Sequence, residues 1–150
     1  MEKSTFVYVT YIRTTPEKLW AKLTETEVPR EFFFATTLHA SEWKVGATWN
    51  STAPDGTLVD GGEALEIDPP KRLVLRWQNE IHPDKKAEGD SRATFALEQK
   101  EGMVKLIVIH EMDRGQSKFI EAVSNGWPTI LSSLKSLLET GEALEDTRTW

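Results

Sequence analysis

The apolar periodicity near the end of the chain constrains the fold most strongly. Between residues 117 and 139 an apolar side chain recurs every three or four positions, and this row consists of Phe119, Val123, Trp127, Ile130, Leu134 and Leu137. The spacing predicts one amphipathic helix with a continuous apolar face. A helix of ~23 residues is roughly 35 Å long, so it needs an apolar surface of similar length. We expect a sheet, encoded upstream, to provide that surface and to leave a hollow beside the helix.

The composition limits the classes of function. A chain of 150 residues fits one domain with a substantial core. Its formal net charge of -6 argues against nucleic acid and membranes as partners, because binding to both depends mainly on Lys and Arg. The absence of cysteine excludes disulfides, thiolate catalysis and zinc–sulfur sites. The sequence has neither a signal-peptide core nor a transmembrane run, so we expect a cytoplasmic protein.

The first forty residues predict a strand followed by two short helices. Residues 6–13 alternate and are rich in β-branched and aromatic side chains, which is typical of a strand. Thr15 and Pro16 then predict a helix start, because a threonine hydroxyl caps well and proline suits the first helical position. A second short helix is predicted after Thr26, and it ends in the aromatic run at residues 32–34.

The middle of the chain predicts an antiparallel meander. Its period of two is broken by turn signals about every ten residues. The predicted strands are residues 37–42, 46–52, 58–67, 72–79, 91–99 and 103–111. The side chains whose parity places them against the helix are Leu73, Leu75, Trp77, Ala93, Phe95, Leu97, Leu106 and Val108. The opposite parity is polar apart from Ile107 and Ile109. The prediction is an α+β fold in which a curved sheet of about seven strands wraps around the C-terminal helix.

Three further features concern the ends and connections of these elements. Residues 1–141 are predicted to form the domain and residues 142–150 a flexible tail, in which little except Leu144 and Trp150 can be buried. Residues 80–90 are polar and long for a hairpin loop, so they are expected to be mobile. Pro128 predicts a kink in the long helix, which either gates the hollow or follows the curvature of the sheet.

Five segments in order resemble the bacterial relatives of the heat-shock-protein ATPase activators, within the Bet v 1-like and START-related superfamily. These segments are YIRTTPEKLWAKLT from Tyr11, WKVGATW from Trp43, DGT with GGEALEIDPPKRLVLRW from Asp55, VKLIVIHE from Val104 and GWPTILSSLKSLLETG from Gly126. The resemblance covers about residues 6–141 and implies the helix-grip fold. The chain departs from the family pattern at Ala47, where a second glycine is usual, and at residues 33–35, where a Trp-Phe-Gly-like run is common.

The resemblance implies several functions, because the superfamily includes lipid, sterol and metabolite carriers, aromatic cyclases and chaperone activators. The fold alone does not choose among them. The three histidines, His39, His82 and His110, lack the spacing of a metal site. The chain also lacks a phosphate-binding loop and a nucleophile elbow. We therefore expect neither a metal nor a cofactor.

Two polar residues are predicted to point inward. Glu63 shares its parity with Leu65 and Ile67, and His110 shares its parity with Leu106 and Val108. A carboxylate with a raised pKa beside an imidazole can act as acid or base, as a cyclase or hydrolase would need. The favoured interpretation is structural: Glu63 lies near a strand end in water, and His110 hydrogen-bonds a loop backbone.

The sequence as a whole favours a non-enzymatic module that binds a hydrophobic, aromatic or lipid-like small molecule between the long helix and the sheet. The residues expected to contact the ligand are Trp49, Glu63, Leu65, Leu75, Trp77, Phe95, Val108, His110, Phe119, Val123, Trp127 and Leu131. Trp127 is expected to face the hollow with few contacts, so that its replacement changes stability little. Two alternatives stay open: a co-chaperone-like regulator of a heat-shock-protein ATPase, and an enzyme that uses Glu63 and His110.

Overall fold

One antiparallel sheet of eight strands provides the long apolar surface that the C-terminal helix requires. The computed structural model describes residues 2–150. In chain order the strands are β1 (Ser4–Ile12), β2 (Pro29–Arg30), β3 (Thr36–His39), β4 (Thr48–Thr52), β5 (Leu58–Asp68), β6 (Arg72–Asn79), β7 (Ser91–Lys100) and β8 (Met103–Met112). Their spatial order is β1-β8-β7-β6-β5-β4-β3-β2. The predicted α+β helix-grip architecture is confirmed, and the short strand β2 brings the count above the predicted seven.

Among the described residues, three α-helices accompany the sheet: α1 (Pro16–Thr24), α2 (Pro83–Lys86) and α3 (Lys118–Thr140); a short 3-10 helix follows at Glu145–Thr147. The capping role predicted for Thr15 is confirmed, since its Oγ1 accepts a hydrogen bond of 3.2 Å from the N–H of Lys18. Helix α3 is the predicted amphipathic helix, and it continues through Pro128. Gly141 ends it with a φ of 87°, a left-handed conformation that favours glycine. Within residues 2–150 no helix has both the length and the apolar character of a membrane span.

The second short helix predicted after Thr26 is wrong. The chain forms strand β2 there and then the aromatic turn, which we define as residues 31–35. The carbonyl of Arg30 accepts hydrogen bonds of 3.0 Å from the N–H groups of Phe33 and Ala35. Phe34 and Ala35 have φ values of 54° and 58°, which lie in the left-handed region and are incompatible with a right-handed helix. Such backbone strain is often found at functional sites.

The polar segment at residues 80–90 contains α2 and is fastened to the start of α3. The carboxylate of Glu88 accepts hydrogen bonds from the Oγ of Ser117 at 2.6 Å, the N–H of Lys118 at 2.8 Å and the N–H of Phe119 at 3.2 Å. These amides belong to the first turn of α3, which has no intrahelical partners for them. Glu88 therefore anchors the segment that was expected to be mobile.

Replacing Glu88 by glutamine is expected to lower the free energy of unfolding by about 1 kcal/mol at pH 7, because the helix start loses a charged acceptor. Burial acts to raise the pKa of Glu88, but the hydrogen bonds from Ser117, Lys118 and Phe119 outweigh it and hold the pKa below its usual value. The stabilisation is thus present above the ordinary glutamate pKa and is lost as the pH falls through the lower folded value.

Urea denaturation of Glu88→Gln at pH 7 and at progressively lower pH tests this expectation. Glu101→Gln is the matched control, since Glu101 is exposed in the turn between β7 and β8. Equal stability of the two variants at pH 7 would show that Glu88 does not hold the helix start.

The C-terminal residues bury different side chains from those expected. Leu144 and Trp150 are 40% and 57% exposed, whereas Ala143 and Thr147 are buried. The Oγ1 of Thr147 forms a hydrogen bond of 2.6 Å with the Oγ of Ser133 on α3 and donates to the carbonyl of Glu31 at 2.7 Å. Residues 143–147 therefore connect α3 to the aromatic turn.

The strand parity predicted for β6, β7 and β8 is confirmed, because all eight inward residues named from the sequence are buried. Ile107 and Ile109, the two apolar residues of the outer parity, are half-buried. They pair in register with Val9 and Val7 of β1. These four side chains therefore lie side by side on the convex face of the sheet.

Candidate functional site

Side chains fill most of the space between α3 and the sheet. The remaining inner cavity has a volume of about 30 Å³, and one water molecule needs about 10–15 Å³ on this scale. Its walls include Trp49, Leu73, Leu75, Phe95, Leu131 and Leu134. The hollow predicted from the sequence is therefore too small, in this conformation, for an aromatic molecule.

A larger, open groove lies at one edge of the interface between α3 and the sheet, and we call it the mouth groove. This mouth groove has a volume of about 230 Å³. It is lined by Phe33, Phe34, Val59, Asp60, Trp77, Asn79, His82, Lys85, Phe119, Ala122, Val123, Gly126, Trp127, Ile130 and Trp150. An apolar cavity of about 150 Å³ holds a benzene molecule. The mouth groove therefore has room for one or two fused rings.

Three aromatic rings separate the mouth groove from the inner cavity: Phe33, Trp77 and Trp127 line both spaces. The ring centroid of Trp127 lies 5.6 Å from that of Phe33 and 5.7 Å from that of Trp77. Both pairs meet edge to face, a favourable geometry for aromatic rings. The guanidinium of Arg30 lies 4.3 Å from the Phe33 centroid and fixes this ring from behind.

Trp127 is a packed residue, which differs from the expectation that it faces a void. It is only 3% exposed, and its ring also meets Phe95 at 5.8 Å. Its indole Nε1–H donates a hydrogen bond of 3.1 Å to the Nδ1 of His110. Trp127 therefore contributes to both the core and the wall of the groove.

His110 points inward as predicted and is fully buried. Because its Nδ1 accepts from Trp127, the neutral ring carries its proton on Nε2 and donates to the Oγ of Ser91 at 2.8 Å. Ser91 in turn donates to the carbonyl of Trp77 at 2.9 Å. Burial lowers the pKa of His110 to about 3. Every polar atom of this ring has a partner, so His110 is suited to a structural role.

The inward orientation predicted for Glu63 and Leu65 is wrong. The register of β5 against β6 shifts between Ala64 and Glu66, and the extra residue reverses the side-chain parity at that point. Glu63 instead pairs with Arg76 on the convex face, where its Oε2 lies 3.9 Å from a guanidinium nitrogen. Leu65 is 38% exposed. Glu63 and His110 lie on opposite faces of the sheet, so the acid–base pair considered for an enzyme is not assembled.

The other residues predicted to bind ligand fall into four groups. Trp49, Leu75, Phe95 and Leu131 line the inner cavity. Phe119 and Val123 line the mouth groove, and Trp77 and Trp127 line both spaces. Val108 is fully buried among core side chains and lines neither space, as is also true of His110.

The sequence reasoning missed Asp60, which is only 6% exposed and lines the mouth groove. Upstream of the bulge the inward residues of β5 are Asp60, Gly62 and Ala64, as their pairing with Asn79, Trp77 and Leu75 shows. Gly62 is required there, because a Cβ at this position would lie 1.8 Å from the carbonyl oxygen of Arg76. Gly61 and Gly62 together resemble a turn, so the sequence did not indicate that the side chain of Asp60 points inward.

Asp60 and Trp77 each leave one buried polar atom without a hydrogen bond. Within residues 2–150, Asp60 Oδ1 and Trp77 Nε1 are the buried side-chain atoms that lack a partner. Burial raises the pKa of Asp60 to about 6, against the opposing effects of the Trp77 indole, which acts on the carboxylate as a hydrogen-bond donor although its geometry falls short of a full hydrogen bond, and of the Arg30 charge. Such orphaned atoms are uncommon in folded proteins and call for an explanation.

Comparison with known proteins places the chain in a structural context. The family model described as "Activator of Hsp90 ATPase homolog 1-like protein" matches residues 13–139. No curated protein sequence matches the chain.

Several solved structures share the fold. Protein MLL2253 from Mesorhizobium loti is 26% identical, with a TM-score of 0.71 over 89% of this chain and 96% of that one. ChR145 from Cytophaga hutchinsonii is 24% identical, with a TM-score of 0.72 over 92% and 96%. The Aha1 dimer from Colwellia psychrerythraea is 20% identical, with a TM-score of 0.71 over 91% and 97%.

Proposed function

The chain belongs to the family of activator of Hsp90 ATPase homolog 1-like proteins, and within that family we propose that it binds a small apolar molecule in the mouth groove. The observation that carries this proposal is the groove itself, a space of about 230 Å³ walled mainly by aromatic and aliphatic side chains. Concave apolar sites with a few polar groups are typical small-molecule sites. The proposal moves the ligand from the inner cavity, as expected from the sequence, to the groove outside it.

The expected affinity is modest. A ligand of one or two rings that buries roughly 300 Å² gains about 7–8 kcal/mol at ~25 cal/mol per Å². The loss of translational and rotational freedom offsets at least 4 kcal/mol or so of that gain. The net gain of at most about 4 kcal/mol corresponds to dissociation constants in the millimolar range or weaker.

An NMR titration with naphthalene derivatives tests the proposal. We expect the largest amide and indole shifts at groove residues such as Trp77, Val123 and Trp127. A variant that fills the groove, Ala122→Trp, should weaken binding by about tenfold or more, because Ala122 is an exposed residue of the groove wall. Ser132→Trp is the matched control, since Ser132 is an exposed residue of α3 outside the groove.

Two outcomes of this titration would contradict the proposal. If none of the naphthalene derivatives changes the NMR spectrum, the groove does not bind small apolar molecules of this size. Equal binding by wild type and Ala122→Trp would place the ligand elsewhere on the protein.

A second candidate function is regulation of an Hsp90-type ATPase, and the matching family model is the observation in its favour. The solved structure from Colwellia psychrerythraea is named Aha1. This function predicts that the protein raises the ATP turnover of its host's Hsp90-type chaperone and that Ala122→Trp leaves the stimulation unchanged. We expect no stimulation, and a clear increase at stoichiometric amounts would reverse our ranking of the two functions.

A further inference from the structure

Two basic side chains line the mouth groove, Lys85 and His82, and both belong to the segment at residues 80–90. Lys85 is half-buried, and a lysine in such a position covers apolar surface with its aliphatic stem while its ammonium stays in water. Within the described residues 2–150, Lys85 Nζ has no ion-pair partner, whereas the neighbouring Lys86 forms an ion pair of 2.8 Å with Glu80. The groove therefore carries an accessible positive charge that the protein does not neutralise.

The other carboxylates of this segment are engaged elsewhere or lie outside the groove. Glu88 accepts hydrogen bonds from the start of α3, and Asp90 forms a salt bridge of 3.2 Å with a guanidinium of β6. Asp84 is exposed and does not line the groove. None of these three groups is placed to occupy the ammonium of Lys85.

The acidic side chain of the groove lining, Asp60, does not compete for this role either. It is only 6% exposed, and the positive charge of Arg30 acts on its carboxylate from within the protein. A ligand in the open part of the groove therefore meets apolar walls and the cation of Lys85 rather than the carboxylate of Asp60.

These surroundings distinguish between the possible polar groups of a ligand. An ammonium group is repelled by Lys85, and a purely apolar ring leaves the lysine without a partner. A carboxylate forms a charge-assisted hydrogen bond with a lysine ammonium, and such bonds are stronger than those between neutral groups. It also accepts a hydrogen bond from an imidazole N–H, the donor that His82 offers.

We infer that the ligand of the mouth groove is an aromatic carboxylate of one or two fused rings, and that its carboxylate pairs with Lys85. The ring occupies the apolar part of the groove, beside Phe119, Val123 and Trp127. This inference rests on the proposed function, because it names the chemical class of the same ligand.

The test compares naphthalene-2-carboxylate with (naphthalen-2-yl)methylammonium, which has the same ring system and the opposite charge. In NMR titrations of the full chain at pH 7, we expect wild-type protein to bind the carboxylate about fivefold more tightly, the upper end of what an ion pair at a partly exposed site contributes. The net charge of -6 on the protein acts in the opposite direction, because it attracts the cation. Lys85→Met keeps an unbranched stem but removes the charge, so it should reduce the preference to less than about twofold.

Lys86→Met is the matched control, because it removes one positive charge at the neighbouring position, outside the groove lining. This variant should keep the preference for the carboxylate, whereas a general effect of protein charge would make the two variants alike. Equal or tighter binding of the ammonium compound by wild type, with shifts at groove residues, would overturn the carboxylate inference and leave the proposed function standing. A preference that is unchanged in Lys85→Met, or lost equally in Lys86→Met, would also overturn it. Binding of neither compound would reject the proposed function and the inference together.

Discussion

Replacing Trp127 by leucine is expected to lower the free energy of unfolding by roughly 3–5 kcal/mol. Removal of a buried aromatic ring leaves a cavity that surrounding side chains fill only in part, and Trp or Phe to Ala replacements cost about 3–5 kcal/mol. Leucine restores some volume, but the variant also leaves His110 Nδ1 without its donor, a loss of about 1–3 kcal/mol for a buried group. The ring contacts to Phe33, Trp77 and Phe95 are lost as well.

Trp43→Leu is the matched control for chemical denaturation. Trp43 is half-buried, and its indole also donates a hydrogen bond, of 2.8 Å to the carbonyl of Thr24. Because its surroundings are partly solvated, we expect a loss of only about 1–2 kcal/mol. If Trp127→Leu costs no more than Trp43→Leu, Trp127 is a loosely packed wall and its described role in the core is wrong.

Replacing Asp60 by asparagine is expected to stabilise the protein at pH 7 by about 1–2 kcal/mol. The pKa of Asp60 rises from 3.8 to about 6 on folding, and each unit corresponds to about 1.4 kcal/mol against the ionised form. Part of this gain is offset, because Arg30 loses a nearby negative charge and the new amide is itself buried. Asp60 lines the mouth groove, and a group that is kept at a cost in stability is consistent with a trade-off between stability and function.

The pH dependence separates this effect from a general packing change. Because the folded pKa of Asp60 is raised, its protonated form stabilises the wild type below pH 3.8, and this contribution is lost as the pH rises through about 6. The advantage of Asp60→Asn should therefore be full above pH 6 and small below pH 4. Asp113→Asn, at a side chain that is 82% exposed, is the control and should change stability little. A destabilised Asp60→Asn at pH 7 would show that the carboxylate has a partner that this account lacks.

The sequence was sufficient for the parts of the fold that depend on a regular period. The apolar row of α3 and the parity of β6, β7 and β8 were predicted correctly, since each repeats over many residues and buries one face. The start of α1 was also predicted, because a threonine followed by proline is a local signal that needs no tertiary contact.

The site was harder to predict because irregular backbone forms it. The bulge at Leu65 reverses the parity of β5, so Asp60 points inward and Glu63 outward. The left-handed Phe34 and Ala35 turn an apolar run that reads as a helix into one wall of the groove. The burial of Thr147 depends on partners in α3 and the aromatic turn, which are distant in sequence. None of these features produces a periodic pattern in the sequence.

The most direct test of the central claim is the position of a bound ligand in the groove. Intermolecular NOEs between naphthalen-2-ol and methyl-labelled protein can locate it, because each surface carries its own methyl groups. We expect NOEs to Val59 and Val123, which line the mouth groove. NOEs confined to Leu73 and Leu131 of the inner cavity, or to Val7 and Val9 on the convex face, would contradict it.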